Sequence, residues 1–412
     1  MMSQIYANKT RVPLKRIARM VYGNSLETEK RNHDGSIPVY GSNGTVGYHD
    51  TAITVGPTIV IGRKGSFGKI SFSDSPCFPI DTTYFVDERH TPHNLRWLYY
   101  LLQTLGLDEF SQDTGVPGLS REYAHERLCY LVSIEEQSLI ASFLDRETSK
   151  LDQLVEKKQR LIELLQEKRQ ALITQAVTKG LDPNVPMKDS GIPWLGDVPA
   201  HWSIRSLRRV VKTFVDYRGK TPEKTDSGVP LITARNIKNG SIDHDLAPEF
   251  IRDEEYFDWM VRGFPKKGDV VMTTEAPLGE VAQIIDESIA LAQRLILFKV
   301  DQATMYNEFL KYQLLSRFGQ SELWSNATGS TALGIKADRL KGVRILVPPL
   351  EEQKIVIAFI ESSLSAGNEL LNKLKYQIEK IQEYRQALIS AAVTGQIDVR
   401  QYSANEAEAI TS

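Results

Sequence analysis

Hydrophobic side chains recur every seven residues through one long segment, residues 135–182. Leucines supply one position of the repeat, and Lys158 stands where one member of that series would fall. A seven-residue period sustained over four or more heptads predicts a coiled-coil helix. Ser133 and Glu136 have the spacing of a capping box, and Gly180 with Pro183 supplies a stop. The predicted helix-packing residues are Leu144, Leu151, Leu154, Leu161, Leu165 and Leu172.

The same segment occurs a second time, 216 residues further on. Glu135-Glu136-Gln137 opens the first copy and Glu351-Glu352-Gln353 opens the second, with 20 of 48 aligned positions identical and no gap. Such self-similarity reveals an internal duplication. The packing residues predicted in the second copy are Leu370, Leu374, Ile381 and Leu388.

Connectivity decides how the two helices would pair. The first helix leaves one unit and arrives at the next, whereas the second helix leaves that second unit at its own start. If the two apolar seams pack together, the helices run antiparallel and each is about 65 Å long. The two units are then related by a pseudo-two-fold axis, as in a fused homodimer.

The segments before each helix predict mainly β structure. Short β-branched runs separated by glycine turns predict strands, as in residues 58–62, and a helix is expected at 95–102. Residues 229–233 align with 37–41 at an offset of 192, and 269–273 align with 58–62 at an offset of 211. The change of offset predicts about 19 extra residues in the second unit, around Phe250–Phe264.

The predicted fold class is therefore α/β (α+β), with two mainly-β domains joined and separated by two long antiparallel coiled-coil helices. The domains span residues 1–132 and 183–347, and the second begins with a Pro/Gly-rich segment, 183–200. The helical segments span 133–182 and 348–398, and residues 399–412 form a C-terminal tail.

Composition limits the classes of function. A net charge of −2 is not the basic balance typical of an autonomous nucleic-acid-binding domain, so any DNA contact must use local clusters or share charge with partners. The two cysteines, Cys77 and Cys129, lack metal-site spacing and indicate a reducing compartment, so a cytoplasmic location is expected. No apolar run is long enough for a membrane span.

The sequence contains no motif that indicates catalysis. Gly41, Gly44 and Gly47 lack the spacing of a dinucleotide-binding loop, and a phosphate-binding loop, a zinc-protease motif and a nucleophile elbow are absent. The Asn-Pro-Pro-Tyr/Phe motif of adenine methyltransferases is missing as well. We therefore expect neither a catalytic residue nor a metal site.

Polar loop residues in both units are of the types that read bases. Arginine forks match guanine, and asparagine or glutamine matches adenine, in the major groove. The alternative is ordinary solvated turns, and Asn43 in particular fits a turn former. The DNA-binding candidates are Asn43, Arg63, Lys64, Ser66, Thr82, Thr83, Tyr217, Arg218, Lys220, Arg235, Asn236, Thr274, Gln293, Arg294 and Ser330. Among them, Lys64 and Lys220 are expected to touch phosphate.

Together these features resemble the specificity subunit of Type I restriction–modification enzymes. The resemblance rests on the duplicated plan, the Glu-Glu-Gln helix openings, the Arg-Gln-Ala-Leu-Ile closings at Arg169 and Arg385, and the segment 191–202 with its two tryptophans. It covers roughly residues 11–398. One departure is that the tryptophan segment has no counterpart before Leu14.

The resemblance implies that each domain is a target recognition domain reading one half of an asymmetric, bipartite target in double-stranded DNA. It implies that the helices set the gap and dock two adenine-N6 methyltransferase subunits, which use S-adenosylmethionine. Restriction subunits would supply ATP- and Mg-dependent translocation and cleavage. This chain would bind no cofactor and contact no membrane.

Two other functions stay open from the residues alone. A coiled-coil protein that recognises peptides or glycans at both ends would show no sequence-specific protection of DNA. A DNA enzyme with an unrecognised active site would act in isolation when given a metal ion or S-adenosylmethionine.

Overall fold

The computed structural model describes residues 11–32, 34–109, 117–218, 221–329 and 333–400. The chain divides into two compact units. The first unit contains residues 1–159 and 375–412, and the second contains residues 160–374. Each long helix therefore contributes one half to each unit.

The described part of the first unit holds a small domain with nine strands and two short α-helices, followed by the first long helix, whose second half belongs to the second unit. Its elements are β1 (Arg11–Pro13), β2 (Val21–Tyr22), β3 (Ile37–Gly41), β4 (Gly44–His49), β5 (Thr58–Gly62), β6 (Ile70–Ser73), β7 (Phe78–Pro79), β8 (Thr83–Asp87), α1 (Leu95–Leu102), α2 (Arg121–Glu126), β9 (Leu128–Tyr130) and α3 (Ile134–Lys179).

The second unit repeats this plan with additions, and the second long helix follows, its second half belonging to the first unit. Its elements are β10 (Met187–Asp189), β11 (Asp197–Pro199), β12 (Ser203–Ser206), β13 (Val211–Asp216), β14 (Val229–Ile232), β15 (Ile237–Lys238), β16 (Ser241–Ile242), β17 (Phe250–Ile251), α4 (Tyr256–Trp259), β18 (Val270–Thr274), β19 (Leu278–Gln283), β20 (Ala290–Leu291), β21 (Leu295–Val300), α5 (Asn307–Leu315), α6 (Arg317–Ser325), α7 (Ala337–Gly342), β22 (Arg344–Val347) and α8 (Leu350–Val393).

A four-stranded antiparallel sheet forms the centre of each domain. The strand order is β2-β8-β5-β6 in the first unit and β13-β21-β18-β19 in the second. Every residue of β5 and of β18 is buried, as their β-branched, apolar sequences lead one to expect. The common strand order confirms the predicted duplication of the domains.

A second, smaller sheet is also shared. β3 lies between β4 and β7, and β14 lies between β17 and β20. In the first unit the central strand β3 pairs antiparallel with β4 and parallel with β7. In the second unit β14 pairs antiparallel with β17 and parallel with β20. This match confirms the predicted alignment of β3 with β14.

The extra residues of the second domain lie on both sides of β17. The β15–β16 hairpin precedes that strand, and a helical segment, residues 253–262, follows it. In the first domain a short turn joins β3 to its partner β4, and no helical segment is described between β4 and β5. The sequence predicted this insertion only around Phe250–Phe264, so its first part was missed.

A buried glutamine fixes the start of each long helix. Gln137 accepts a hydrogen bond from the Asn94 backbone N–H at 2.9 Å, and its amide donates to the Val132 carbonyl at 2.9 Å. Gln353 accepts from the Tyr306 N–H at 2.9 Å and donates to the Pro348 carbonyl at 2.9 Å. Both side chains are fully buried. The Glu-Glu-Gln motif is thus a joint between helix and domain.

The seam of the long helices differs in phase from part of the prediction. Leu144 and Leu374 are buried, and Leu151, Leu165, Leu172, Ile381 and Leu388 are partly buried, as expected for seam positions. Leu154 and Leu161 are each 42% exposed and Leu370 is 41% exposed, so their assignment to the seam is wrong.

The second seam position falls one residue later. Val155, Ile162 and Leu371 are partly buried there. Positions three and four residues after a seam residue differ by about 100° around a helix. Because leucines or other apolar residues occupy both positions, residue type alone did not distinguish them.

In the first unit the halves of the two helices run antiparallel. In the first unit Arg385 Nε donates to Asp152 Oδ1 at 2.9 Å, and Lys158 Nζ donates to Gln377 Oε1 at 2.7 Å. In the second unit Arg169 donates to the Asn368 side-chain carbonyl at 3.3 Å. Residue numbers fall along one helix as they rise along the other, which confirms the predicted pairing.

Candidate nucleic-acid interface

Several of the polar residues predicted to read bases lie beside the ends of two central strands. In the first unit these are the end of β5 and the start of β8. In the first unit the Arg63 N–H donates to the Thr82 carbonyl at 2.8 Å, and the Leu119 N–H donates to the Arg63 carbonyl at 2.8 Å. Lys64 follows and forms an isolated bridge with Gly118. We call Tyr22, Arg63, Lys64 and Thr82 the first edge.

The second unit reproduces this backbone. The Thr274 N–H donates to the Arg294 carbonyl at 2.8 Å, and the Ile335 N–H donates to the Thr274 carbonyl at 3.0 Å. Glu275 then forms a bridge with Gly334. Register in the sheet makes Asp216 the equivalent of Tyr22, since they pair with the equivalent residues Ile296 and Tyr84. We call Asp216, Thr274, Glu275 and Arg294 the second edge.

Two guanidinium groups surround an aromatic ring at the first edge. The Arg63 and Arg121 guanidinium carbons lie 5.3 and 5.0 Å from the centre of the Tyr22 ring. Tyr22 is 44% exposed and its ring lies 5.0 Å from that of Tyr84. Arg63 also donates two hydrogen bonds to the Asp81 carbonyl, at 3.1 and 2.8 Å. The ring and both cations thus hold one another in place at the surface.

A carboxylate occupies the equivalent position at the second edge. Arg218 Nε donates to Asp216 Oδ1 and Oδ2 at 3.0 and 2.9 Å. Burial raises the pKa of Asp216, but the hydrogen bonds and positive charge of Arg218 outweigh burial and leave this pKa below its ordinary value. The hydrogen bonds to Asp216 raise the pKa of Arg218. The Arg218 guanidinium is therefore already bound to the Asp216 carboxylate.

The next position also carries a positive charge at the first edge and a negative charge at the second edge. Lys64 is exposed at the first edge, whereas Glu275 stands at that position of the second edge and lies 3.2 Å from Arg294 Nε. Arg294 is itself half exposed. Among the described residues, Arg63 and Lys64 of the first edge form no ion pair, and the nearby Arg121 lies 3.6 Å from Glu122. The second edge instead presents arginines paired with carboxylates.

Other candidates lie in nearby turns. Asn43 is an exposed turn residue whose side-chain oxygen accepts from Lys69 Nζ at 2.7 Å. Ser66 is exposed, Gln293 is partly exposed, and the Thr82 carbonyl also accepts from the Ser42 hydroxyl at 2.6 Å. Arg235 is exposed and pairs with Glu249. For these residues DNA contact stays a prediction.

Four candidates are core residues, and their prediction as base-reading side chains is wrong. Thr83 is fully buried and donates to the Ile80 carbonyl, and Thr274 is 1% exposed and donates to the Arg294 carbonyl. Tyr217 is 3% exposed and donates to the Met260 carbonyl. Asn236 is 1% exposed and donates to the Asp243 and Ala247 carbonyls. Their polar groups serve the protein's own backbone.

Lys220 and Ser330 lie outside the described residues. Sequence patterns did not indicate Arg121 of α2, which packs against Tyr22. They also did not indicate the edge residues Tyr22 and Glu275. A strand register was needed to find them, and the only sequence signal was the 216-residue offset that relates Gly118 to Gly334.

Across the described residues, no group of three or more His, Cys, Asp or Glu side chains is arranged to hold a metal ion. Cys77 and Cys129 are free and buried, and burial raises the pKa of both thiols, that of Cys129 to about 11. No helix in the described part of the chain is long and apolar enough to span a membrane.

The chain is similar to known proteins over most of its length. The chain is 28% identical over 314 residues to the specificity subunit of the type I restriction enzyme MjaVIII of Methanocaldococcus jannaschii, covering 73% of this chain and 70% of that protein. It is 20% identical over 407 residues to the EcoBI specificity subunit of Escherichia coli, covering 96% and 82%.

The fold is likewise similar to a solved structure from a study of complex assembly and conformational transition of the type I R-M system. The TM-score is 0.63 at 12% identity, over 94% of this chain and 98% of the other. The family model described as Type I restriction modification DNA specificity domain matches residues 8–164 and 199–380. Since these two stretches cover most of the sequence, the chain belongs to the family of Type I restriction–modification DNA specificity proteins.

Proposed function

We propose that this specificity subunit selects a bipartite DNA target, with the first edge reading one half and the second edge reading the other. The observation that carries the proposal is the shared backbone of the two edges combined with unlike side chains. Equal backbones give both edges the same approach to a DNA groove, and unlike side chains give them different sequence preferences.

The partners that each side chain already has in the protein decide whether it is assigned a base contact, a phosphate contact or a structural role. Arg294 has a planar guanidinium that is half exposed and suits a guanine edge. Lys64 is an exposed point charge and suits phosphate. Arg218 is already bound to Asp216 and the Ile335 carbonyl, so in this proposal it shapes the second edge and leaves base reading to its neighbours.

The paired helices fix the gap between the two half-sites and dock two adenine methyltransferase subunits. The chain itself is non-catalytic. S-adenosylmethionine is bound by the methyltransferase subunits, and ATP and Mg are used by restriction subunits. The near-zero net charge supports a subunit that shares its hold on DNA with such partners.

The test is methylation mapping. The chain is co-expressed with its methyltransferase subunit in a host without adenine methylation, and N6-methyladenine is read across the genome. One bipartite motif with a fixed gap is expected. If the complex assembles and no such motif emerges, the recognition role is wrong.

A matched pair of variants assigns the half-sites. Arg294→Ala should change only the half read by the second domain, and Arg63→Ala only the other half. A change of both halves by either variant would contradict the assignment of one edge to each half-site.

A further inference from the structure

An exposed aromatic cluster covers the helical insertion of the second domain. Phe257 is 70% exposed, Val261 is 74% exposed and Phe264 is 39% exposed. The rings of Tyr256, Phe257 and Phe264 lie 5.4 to 5.8 Å apart, centre to centre. We call Tyr256, Phe257, Val261 and Phe264 the aromatic patch. Several large apolar side chains left together in solvent are typical of a protein-binding surface.

The charges around the aromatic patch are mostly negative. Asp253, Glu254 and Asp258 are exposed on the same helical segment, and Asp286 and Glu287 are exposed on the loop whose Glu287 carbonyl accepts from the Tyr256 hydroxyl. The cations in this region are Arg252, Arg262, Lys266 and Lys267.

Arg252 forms ion pairs with Glu223 and Glu255. Arg262 is held instead by hydrogen bonds to the Asp216 and Arg218 carbonyl groups, which leave its charge uncancelled. Lys266 and Lys267 are exposed, and the Lys267 backbone N–H binds a Glu287 carboxylate oxygen at 2.8 Å. The five exposed carboxylates named above outnumber the three cations that form no ion pair among the described residues, Arg262, Lys266 and Lys267. The surroundings of the aromatic patch therefore carry a net negative charge, which disfavours DNA and favours a partner with a basic rim.

The aromatic patch lies directly beside the second edge. Arg262, at the end of the helical segment, bonds the Asp216 carbonyl at 2.5 Å and the Arg218 carbonyl at 3.1 Å. The Tyr217 hydroxyl donates to the Met260 carbonyl at 3.3 Å. A protein seated on the patch would thus stand next to whatever half-site the second edge reads.

We propose that the aromatic patch docks the methyltransferase subunit that serves the second half-site, through a contact face that is apolar at its centre and basic at its rim. This inference rests on the proposed function. An enzyme that modifies a base in a half-site must lie beside the edge that reads it. The first domain has no described helical segment between β4 and β5, so this contact is made at one half-site only.

The experiment uses the full-length chain with its methyltransferase subunit. In Phe257→Ser and Val261→Ser, two highly exposed side chains are replaced, so folding is preserved and is checked by circular dichroism. Native mass spectrometry measures how many methyltransferase subunits each chain holds. The affinity for one of the two should fall about tenfold or more, as expected when a hot-spot side chain near the centre of an interface is truncated.

A strand-resolved methylation assay gives a second readout. Methylation of the half-site read by the second domain should fall by a similar factor, while the other half-site stays methylated. Leu246→Ser is the matched control, since Leu246 is 54% exposed in the same domain and lies outside the aromatic patch. Asp258→Lys should weaken the same single contact, and more so at low salt.

Several outcomes would overturn the inference. Wild-type occupancy in both serine variants would exclude docking at the patch. Loss of DNA binding with full methyltransferase occupancy would make it a DNA contact, and a concentration-dependent dimer abolished by Phe257→Ser would make it a self-association surface. Absence of any bipartite methylation by the wild-type complex would instead reject the proposed function.

Discussion

At the first edge the chain places Arg63 and Lys64, and at the same backbone positions of the second edge it places Thr274 and Glu275. The hydrogen bonds that hold these positions have equal partners and nearly equal lengths in both units. Tyr22 and Asp216 differ as sharply, although each occupies the same register of its sheet. At the two edges, equivalent backbone positions thus carry side chains of different chemistry.

The helix starts show the opposite behaviour. Gln137 and Gln353 each accept from the equivalent backbone N–H and donate to the equivalent carbonyl at 2.9 Å, and both are fully buried. Only their third contact differs, with the His93 ring in one case and the Thr304 carbonyl in the other. A residue that satisfies buried backbone groups admits few replacements, because the groups it leaves behind lose their partners. The comparison teaches that this molecule keeps its joints alike and varies its strand ends, as the proposed pair of different reading edges requires.

The largest effect is expected from lengthening both helices. A seven-residue insertion after Gln159 and another after Leu374 keep every pair of facing residues within its own unit. The gap between half-sites should grow by about three base pairs, since seven helical residues add roughly 10 Å and base pairs repeat every 3.4 Å. Methylation mapping would show the same half-sites further apart.

An insertion in only one helix is the control. It leaves seven residues without facing partners, so it should destabilise the pair of helices and reduce methylation at every site. An unchanged gap in the double insertion, with normal complex assembly, would show that the helices do not set the spacing.

The buried glutamines should give equal and large losses of stability. Gln137→Ala and Gln353→Ala each leave a buried backbone N–H and carbonyl without their partner, which lowers the free energy of unfolding by about 2–3 kcal/mol. Urea denaturation of both variants measures the change. Gln175→Ala, at an exposed position of α3, should behave as wild type. A loss in only one of the two variants would argue against equivalent joints.

Much of the fold could be predicted because the sequence contains a regular hydrophobic period and an internal duplication. The heptads of the long helices extend over many turns, and the 216-residue offset alone pairs Gln137 with Gln353. Strands such as β5 were found because continuous β-branched, apolar runs belong in a buried sheet. The phase error at Leu154 arose because apolar residues occupy two neighbouring faces of the same helix.

The edges were predicted less well, for a physical reason. A polar residue in a loop can face solvent or can satisfy the protein's own backbone, and its residue type is the same in both cases. Asn236 and Tyr217 took the second role. Arg218 was expected to face DNA, yet Asp216, two residues earlier, binds it. Tyr22 of β2 and Arg121 of α2 come together only through tertiary packing, which local sequence does not encode.

Arg294→Ala should relax recognition at one base of one half-site. A bidentate arginine–guanine contact contributes about 1–3 kcal/mol of discrimination, so the methylated motif should become degenerate at that base alone. Glu275→Gln should leave the motif intact and strengthen binding, because it releases Arg294 from its carboxylate neighbour. Lys212→Ala, an exposed cation in an ion pair with Asp301, is the matched control. Equal weakening on all DNA sequences would identify Arg294 as a phosphate contact.

Exchanging the charges at the equivalent positions 64 and 275 should produce opposite, smaller effects. Lys64→Glu should weaken DNA binding about three- to tenfold at low salt and reduce the salt slope by about one, and Glu275→Lys should do the reverse. Fluorescence anisotropy between low and physiological salt checks both. Lys373→Glu, on an exposed face of α8, serves as the control. Equal signs for the two variants would remove the electrostatic contrast between the edges.

The smallest effect concerns pH at the second edge. The folded-state pKa of Asp216 lies below its ordinary value of 3.8, because the hydrogen bonds and charge of Arg218 outweigh the opposing effect of burial. A carboxyl whose pKa is depressed by folding contributes stability that is present above its unfolded pKa and is lost as pH falls through its folded pKa. Asp216→Asn should therefore be less stable than wild type at neutral pH, and the difference should shrink only below about pH 4. Urea unfolding of both proteins across that range provides the measurement, and a difference that stays constant down to the lowest pH would show that the ionised pair does not hold the second edge in place.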